Sequence, residues 1–273
     1  MNSLLLLLLA HGMIAFVAGA EGSRNREVSW VNPKLPHAPG LTHHTLRSQA
    51  MGREVGYVVW VPDNYENEAD RKYPVLYFLH GMGGNESADS GGFSSQVRKA
   101  VREGRMPPCL IVFPNGGRSM YREGVEKMIL NELVPLIDDR YRTIPKPGKR
   151  GIAGFSMGGA GSIWLSLRHP ETFGFAGSWG GGMWRMEAEL LSLVDKHADT
   201  LRQTGFSALM INGDEDRPEA FKPLSERFKE KGIPHRIIIL DKTPHRLGLY
   251  YEKAGTSMTD FIGAQLSEGR KDK

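Results

Sequence analysis

The chain has 273 residues, of which 40% are hydrophobic and 24% are charged. This composition is that of a globular protein with one substantial core, and it excludes a largely disordered chain. The 35 basic and 31 acidic residues give a net charge of +4, without a basic cluster beyond the short tail at 270–273. Because phosphate neutralisation needs clustered cations, we expect no nucleic acid among the partners.

The first 20 residues form an apolar stretch that ends in small residues at 18–20. This pattern predicts a signal peptide that is removed on export. Its apolar run, residues 4–17, is shorter than the ~20 residues that span a bilayer. We therefore expect a secreted or periplasmic protein without stable membrane insertion after cleavage. An uncleaved anchor is the alternative, since no Lys or Arg precedes the leucines and His11-Gly12 interrupts the run.

Residues 21–41 are expected to form an extended lead, because they contain three prolines and no periodic pattern. Strand patterns at 42–48 and 54–61 flank a turn at 50–52 and predict an antiparallel hairpin at a sheet edge. No linker or internal repeat follows, so we expect one domain over 42–266 and a polar tail at 267–273.

Short β-rich runs then alternate with longer helical patterns. This α/β alternation implies right-handed crossovers and a mostly parallel sheet with helices on both faces. The predicted strands are residues 75–79, 110–113, 151–153, 175–178, 208–211 and 236–240, and the predicted helices lie near 94–103, 121–140, 157–168, 186–203, 219–231 and 249–266. Pro135 is expected to kink the second helix near its end. The single Cys109 lies in an apolar run and is expected to be buried.

One short stretch carries the strongest functional signal. Residues 154–158, Gly-Phe-Ser-Met-Gly, match G-x-S-x-G, the strand-to-helix turn that presents a serine hydroxyl above a parallel sheet. The glycines make room for the bend, and the helix that begins at Met157 directs free N–H groups toward an oxyanion nearby. A glycine-rich turn without chemistry is the alternative, but the predicted strand and helix on either side favour Ser156 as a nucleophile.

A serine hydroxyl needs a base to take its proton and a carboxylate to orient that base. His245 follows the last predicted strand, where a loop can lie over the same sheet edge as Ser156; an ordinary surface histidine is the alternative. The acid is expected after strand 208–211, where Asp214, Glu215 and Asp216 follow. Asp216 could instead cap the next helix, and Asp214 could be a turn residue. The chain order serine, acid, histidine favours the trio as a set.

Two backbone N–H groups are expected to stabilise the oxyanion. One belongs to Met157, directly after the serine, and the other to Met82, in the glycine-rich loop 80–84 after strand 75–79. No His-x-x-x-His or Cys-x-x-Cys spacing indicates zinc, so we expect no metal and no other cofactor.

These motifs resemble the esterase D branch of the α/β-hydrolases, which includes feruloyl and acetylxylan esterases, S-formylglutathione hydrolases and mycolyltransferases. The resemblance covers roughly residues 50–265 and rests on YPVLYFLHGMGGNE, LIVFPNGG, NELVPLIDDRYR, GIAGFSMGGAGSIWLSLRHPETF and INGDEDRP. It is nearest to secreted feruloyl esterase domains of the carbohydrate esterase family 1 type. In those domains a glycine, two residues and the catalytic aspartate follow the penultimate strand. Placed on residues 213–216, this pattern implies Asp216 as the acid, with His245 as the base and Met82 as the loop donor.

The resemblance implies an α/β-hydrolase fold and a serine carboxylesterase that removes feruloyl or acetyl groups from carbohydrates through an acyl-enzyme. Tyr121, Trp179 and Trp184 are candidates to stack on an aromatic acyl group or a sugar, with core packing as the alternative for each. Loops that should line the substrate pocket depart from the family pattern, with Thr243-Pro244 in place of two glycines before the histidine. Alternatives are therefore an acyltransferase of the mycolyltransferase type or a catalytically silent carbohydrate-binding domain.

Overall fold

The computed structural model describes residues 28–34 and 38–267. The predicted signal peptide at 1–20 and all but the first residue of the predicted tail lie outside the described residues, so both stay predictions. Within the described ranges, no helix combines the length and the apolar character needed to cross a membrane.

Eight strands form a sheet in the order β1-β2-β4-β3-β5-β6-β7-β8. They are β1 (Leu41–Ser48), β2 (Arg53–Trp60), β3 (Val75–Leu79), β4 (Leu110–Pro114), β5 (Arg150–Phe155), β6 (Phe175–Trp179), β7 (Ser207–Gly213) and β8 (His235–Leu240). The β1–β2 hairpin is antiparallel and lies at one edge, β2 is antiparallel to β4, and the other neighbours pair in parallel. The predicted edge hairpin and mostly parallel sheet are confirmed.

Helices cover both faces of this sheet. They are α1 (Ser90–Arg102), α2 (Gly124–Met128), α3 (Val134–Arg140), α4 (Met157–Arg168), α5 (Glu187–Gln203), α6 (Lys222–Glu230), α7 (Leu247–Ala254) and α8 (Ser257–Leu266), with short 3-10 turns at Pro147–Lys149 and Trp184–Met186. Side chains alternate along the strands. In β3, Val75, Tyr77 and Leu79 belong to a buried cluster with α2–α6. Leu76 and Phe78 belong to the cluster formed with α1, α7 and α8.

Two predicted helices are not single α-helices. The pattern over 121–140 becomes α2, a π-helical turn at Ile129–Leu133, and α3. Pro135 lies in the first turn of α3 and has no N–H to donate to the helical hydrogen-bond pattern. The π-helical turn, which is wider than an α-helical turn, lies just before this proline. The predicted helix 249–266 was wrong as one element, because Gly255, with φ of 55°, separates α7 from α8.

Residues 28–34, which belong to the predicted lead, pack on the domain through a buried carboxylate. One Glu86 oxygen accepts the Asn32 N–H at 2.6 Å and contacts His43 Nε2 at 2.9 Å, and the other accepts the Asn115 side-chain N–H at 2.7 Å. Asn115 also donates to the Ser29 carbonyl at 2.9 Å. This segment is thereby tied to the loops that follow β3 and β4.

Candidate active site

Ser156 lies at the sharp turn between β5 and α4, with φ of 57° and ψ of −117°. A non-glycine residue in this region is strained, and such strain persists where the surroundings over-determine it. Here the end of β3 packs directly against the turn and holds its conformation. A Cβ on Gly154 would lie 2.5 Å from the Leu79 carbonyl oxygen, and a Cβ on Gly158 would lie only 1.9 Å from the same oxygen. The close approach of β3 to the turn therefore explains why the motif needs glycine on both sides of the serine.

Ser156, His245 and Asp216 converge at the carboxyl edge of the parallel strands. Their side chains come from the loops after β5, β8 and β7. His245 Nε2 lies 2.8 Å from Ser156 Oγ, and His245 Nδ1 lies 2.5 Å from Asp216 Oδ2. The Asp216 side chain is 5% exposed and that of His245 is 38% exposed. A buried carboxylate thus orients an imidazole whose other nitrogen is open to the serine and to solvent.

The two candidate aspartates have different surroundings. Asp214 is exposed and accepts the Thr243 N–H at 3.0 Å, and this bond, together with one from Lys242, lowers the pKa of the Asp214 carboxyl. It fastens the turn that leads to His245, and within the described structure the imidazole bonds to Asp216 and Ser156 instead. Asp216 does not cap the following helix, since α6 begins at Lys222. The geometry favours Asp216 as the partner of His245.

The Met82 loop lies against the serine. A Cβ placed on Gly81 would be 3.4 Å from Ser156 Cβ, and the described residues supply no hydrogen-bond acceptor for the Met82 or Met157 N–H. Met157 opens α4, so its N–H has no partner within the helix. Both predicted donors are therefore unpaired in the described structure, on the two segments that border Ser156.

His80 holds the peptide group that carries the Met82 N–H. The Gly116 N–H donates to His80 Nε2 at 2.9 Å, so that nitrogen carries no proton, and His80 Nδ1–H donates to the Gly81 carbonyl at 2.8 Å. The Gly81 carbonyl and the Met82 N–H belong to one planar trans peptide and point in opposite directions. The neutral imidazole thus fixes the orientation of the predicted donor.

We expect His80 to make folding stability depend on pH. Burial lowers the pKa of His80 from its ordinary value of 6.5. The unfolded chain therefore binds a proton before the folded chain does, so the contribution is present above pH 6.5 and is lost as the pH falls through the lower folded pKa. Urea unfolding should show that the free energy of unfolding decreases as the pH is lowered from about 7 to about 5. His80→Gln should be less stable at pH 7 but show a smaller decrease, and equal slopes in the two proteins would contradict this.

Two of the three aromatic candidates for substrate contact are buried in this structure. Tyr121 is 0% exposed and donates its hydroxyl proton to the His80 carbonyl at 3.0 Å, so it packs beneath the Met82 loop. Trp179 is 1% exposed and packs edge to face against Phe93 and Tyr251. Both rings are enclosed, which is the core-packing alternative, and neither offers a face to a ligand.

The third aromatic candidate, Trp184, lies at the surface beside a cavity. It is 38% exposed and has φ of 42°, and the Arg217 guanidinium lies 5.4 Å from its ring centre. Both residues line a cavity of about 300 Å³ with Gly182, Glu187 and Pro223. Arg217 follows Asp216, and a Cβ on Gly180 would be 3.2 Å from His245 Cε1. The cavity is thus built on the same two loops that border the His245–Asp216 pair.

Sequence reasoning missed two side chains that contact the His245–Asp216 pair. Phe155, inside the serine motif, stacks on the His245 ring with centroids 4.7 Å apart. The Tyr250 hydroxyl lies 2.6 Å from Asp216 Oδ2. Position inside the motif could have pointed to Phe155, whereas Tyr250 lies in a helix whose pattern marks it only as a core residue. Among the described residues, no cluster of three potential ligand side chains could hold a metal ion.

The sheet order and the strained serine turn define an α/β-hydrolase, with the histidine and carboxylate on the loops after the last two strands. Residues 48–219 match the model of the Esterase family, described as "Putative esterase". The chain belongs to this family.

Curated relatives of this chain carry esterase names, and solved structures share its fold. The chain is 28% identical over 215 residues to an endo-1,4-beta-xylanase/feruloyl esterase of Xylanibacter ruminicola, an alignment that covers 74% of this chain and 28% of that protein. It spans less than two fifths of the length of the first curated relatives it matches. A ferulic acid esterase structure superposes with a TM-score of 0.73 at 22% identity, covering 82% of this chain and 98% of the other. The ferulic acid esterase of Anaeromyces mucronatus, solved with ferulic acid, superposes with a TM-score of 0.66 at 18% identity. That superposition covers 89% of this chain and 98% of the other.

Proposed function

We propose that this chain is a serine carboxylesterase that hydrolyses feruloyl or acetyl esters of carbohydrates. The observation that carries the proposal is the continuous hydrogen-bonded row from Ser156 Oγ through His245 to Asp216, in a chain of the Esterase family. The feruloyl esterase activity in the names of its relatives supports the acyl class. The predicted signal peptide supports an exported enzyme.

In the proposed reaction, Ser156 Oγ attacks the ester carbonyl carbon while His245 Nε2 takes the hydroxyl proton. The carbonyl oxygen becomes an oxyanion that accepts hydrogen bonds from the Met82 and Met157 N–H groups. His245 then gives its proton to the leaving alcohol oxygen, the carbon–oxygen bond breaks, and an acyl-enzyme remains. Water, deprotonated by His245, attacks the acyl carbon; the carbon–oxygen bond to Ser156 Oγ then breaks as His245 returns the proton to that oxygen, and the acid is released. Asp216 stabilises the imidazolium during both halves of the reaction.

The cavity beside Trp184 is our proposed position for a planar part of the substrate. Trp184 is one of three large apolar side chains exposed in the described structure, with Met82 and Ile239. Trp184 and Met82 both lie on loops that border the serine, and an exposed indole can stack on a phenolic ring or a sugar face. No metal or other cofactor enters the proposed mechanism.

A panel of methyl ferulate, acetylated xylan and p-nitrophenyl acetate tests the proposal. We expect release of free acid from at least one ester, with free acid as the main product when a sugar acceptor is added. A main product in which the acyl group has moved to the added sugar would favour the acyltransferase alternative. Absence of turnover of every ester by the folded protein, with retained binding to xylan, would support the silent carbohydrate-binding alternative.

A further inference from the structure

The Tyr250 hydroxyl connects the end of β7 to the proposed catalytic carboxylate. It lies 2.8 Å from the Gly213 backbone N and 2.6 Å from Asp216 Oδ2. The Gly213 N–H can only donate, so the tyrosine oxygen accepts there, and its one proton goes to Asp216. Tyr250 is 0% exposed, so solvent does not compete for these bonds. The hydroxyl thus has one acceptor role and one donor role, and both are filled.

The proton of Tyr250 and the ring N–H of His245 meet on the same atom. Asp216 Oδ2 accepts from both, at 2.6 Å and 2.5 Å, while the nearest cation to Oδ1 is the Arg217 guanidinium at 3.7 Å. Two donors from different elements, α7 and the loop after β8, hold this oxygen in place. Burial, and then the hydrogen bond to Asp216, raise the pKa of Tyr250, so the hydroxyl stays protonated and remains a donor.

We propose that Tyr250 is a positioning residue that holds Asp216 against His245 and withdraws part of the carboxylate charge from the imidazole. The inference rests on the proposed function, because it assigns a role within the same triad. Within the described structure Tyr250 has no hydrogen bond to Ser156, and its hydroxyl acts through Asp216. Its ring also packs edge to face on Phe155, which stacks on His245, so one side chain supports both members of the pair.

The charge environment of the pair gives the direction of the expected pH effect. The polar and charged groups that face it are the Ser156 hydroxyl from the β5–α4 turn, the Tyr250 hydroxyl from α7 and the Arg217 guanidinium from the loop after β7. Without the hydrogen bond from Tyr250, the negative charge on Asp216 Oδ2 is less neutralised. Its attraction to a protonated His245 ring is then stronger, and the imidazolium becomes more stable. Since the base must be neutral to accept the serine proton, activity should then require a higher pH.

The test is Tyr250→Phe, with Tyr251→Phe as the matched control. Tyr251 is the next residue of α7, and its buried hydroxyl has no hydrogen-bond partner within the described structure. With p-nitrophenyl acetate, we expect Tyr250→Phe to lower kcat by roughly tenfold to a hundredfold with little change in KM. The acidic limb of its kcat/KM profile should move to higher pH by roughly half a unit. Tyr251→Phe should keep the wild-type kcat and the wild-type limb.

Folding is followed separately, by near-UV circular dichroism and thermal unfolding of each variant. If Tyr250→Phe is less stable, the rate of serine labelling by a fluorophosphonate at low temperature, where the variant is folded, replaces the turnover measurement. Slower turnover or labelling with an unmoved acidic limb would show a merely structural role and overturn the inference. A Tyr250→Phe variant with the wild-type rate and the wild-type acidic limb would also overturn the inference. In both cases an inactive Ser156→Ala would leave the proposed function standing, whereas an active one would remove the proposed function itself.

Discussion

Replacing Ser156 by alanine should lower kcat for ester hydrolysis by about a millionfold, the loss typical of a serine nucleophile in a triad. The change removes the atom that attacks the carbonyl and leaves the turn intact, because φ of 57° and the contacts of Gly154 and Gly158 do not depend on Oγ. Binding of substrate should persist, and a slow residual rate from the Met82 and Met157 donors should remain. Initial rates with p-nitrophenyl acetate, together with thermal unfolding, measure both expectations.

Ser166→Ala is the matched control for that loss. Ser166 lies in the same helix, α4, is buried, and donates its hydroxyl proton to the Ile163 carbonyl at 3.0 Å. Its loss should cost about 1 kcal/mol of stability, as for a buried local hydrogen bond, and leave kcat unchanged. Full activity in folded Ser156→Ala would contradict the nucleophile assignment.

Asp216→Asn should lower kcat by about four orders of magnitude, whereas Asp214→Asn should change it little. The Asp216 side chain is buried and accepts two hydrogen bonds on one oxygen, so an amide there removes the charge that stabilises the imidazolium and can present an N–H to another donor. Asp214 accepts a backbone N–H from Thr243, and an asparagine oxygen can accept the same bond. Steady-state kinetics on both variants, with circular dichroism to check folding, make the comparison. A large loss in Asp214→Asn with a small one in Asp216→Asn would reverse the assignment.

The serine turn was predictable because its determinants are local in the chain. Glycine at 154 and 158, an apolar strand before and a helix after are all visible in one short stretch. The positions of His245 and Asp216 followed from strand order, since loops at the carboxyl ends of parallel strands meet at one edge. Choosing between Asp214 and Asp216 needed the family resemblance, because both follow the same strand and the sequence does not show which of them bonds to His245.

The errors and omissions concern features that only tertiary contacts decide. Tyr121 and Trp179 were candidates to stack on the substrate, with core packing as the alternative, and the sequence does not show that both rings are enclosed. Tyr250 carries no motif that marks it as a partner of Asp216. His80 lies in the glycine-rich loop 80–84, but the sequence does not show that its ring holds the Met82 peptide. Both roles depend on hydrogen bonds between residues more than 30 positions apart in the chain. Tyr250 bonds to Asp216, and His80 accepts the Gly116 N–H from the loop after β4.

The acyl-enzyme is the most direct test of the central claim. The protein is mixed with excess p-nitrophenyl acetate, quenched in acid within the first turnovers, and analysed by intact-mass and peptide mass spectrometry. The account predicts a transient acetyl adduct on the peptide that contains Ser156, absent from Ser156→Ala and present in Ser166→Ala. Steady hydrolysis without any adduct under these conditions, or an adduct on another residue that disappears at the rate of turnover, would contradict it.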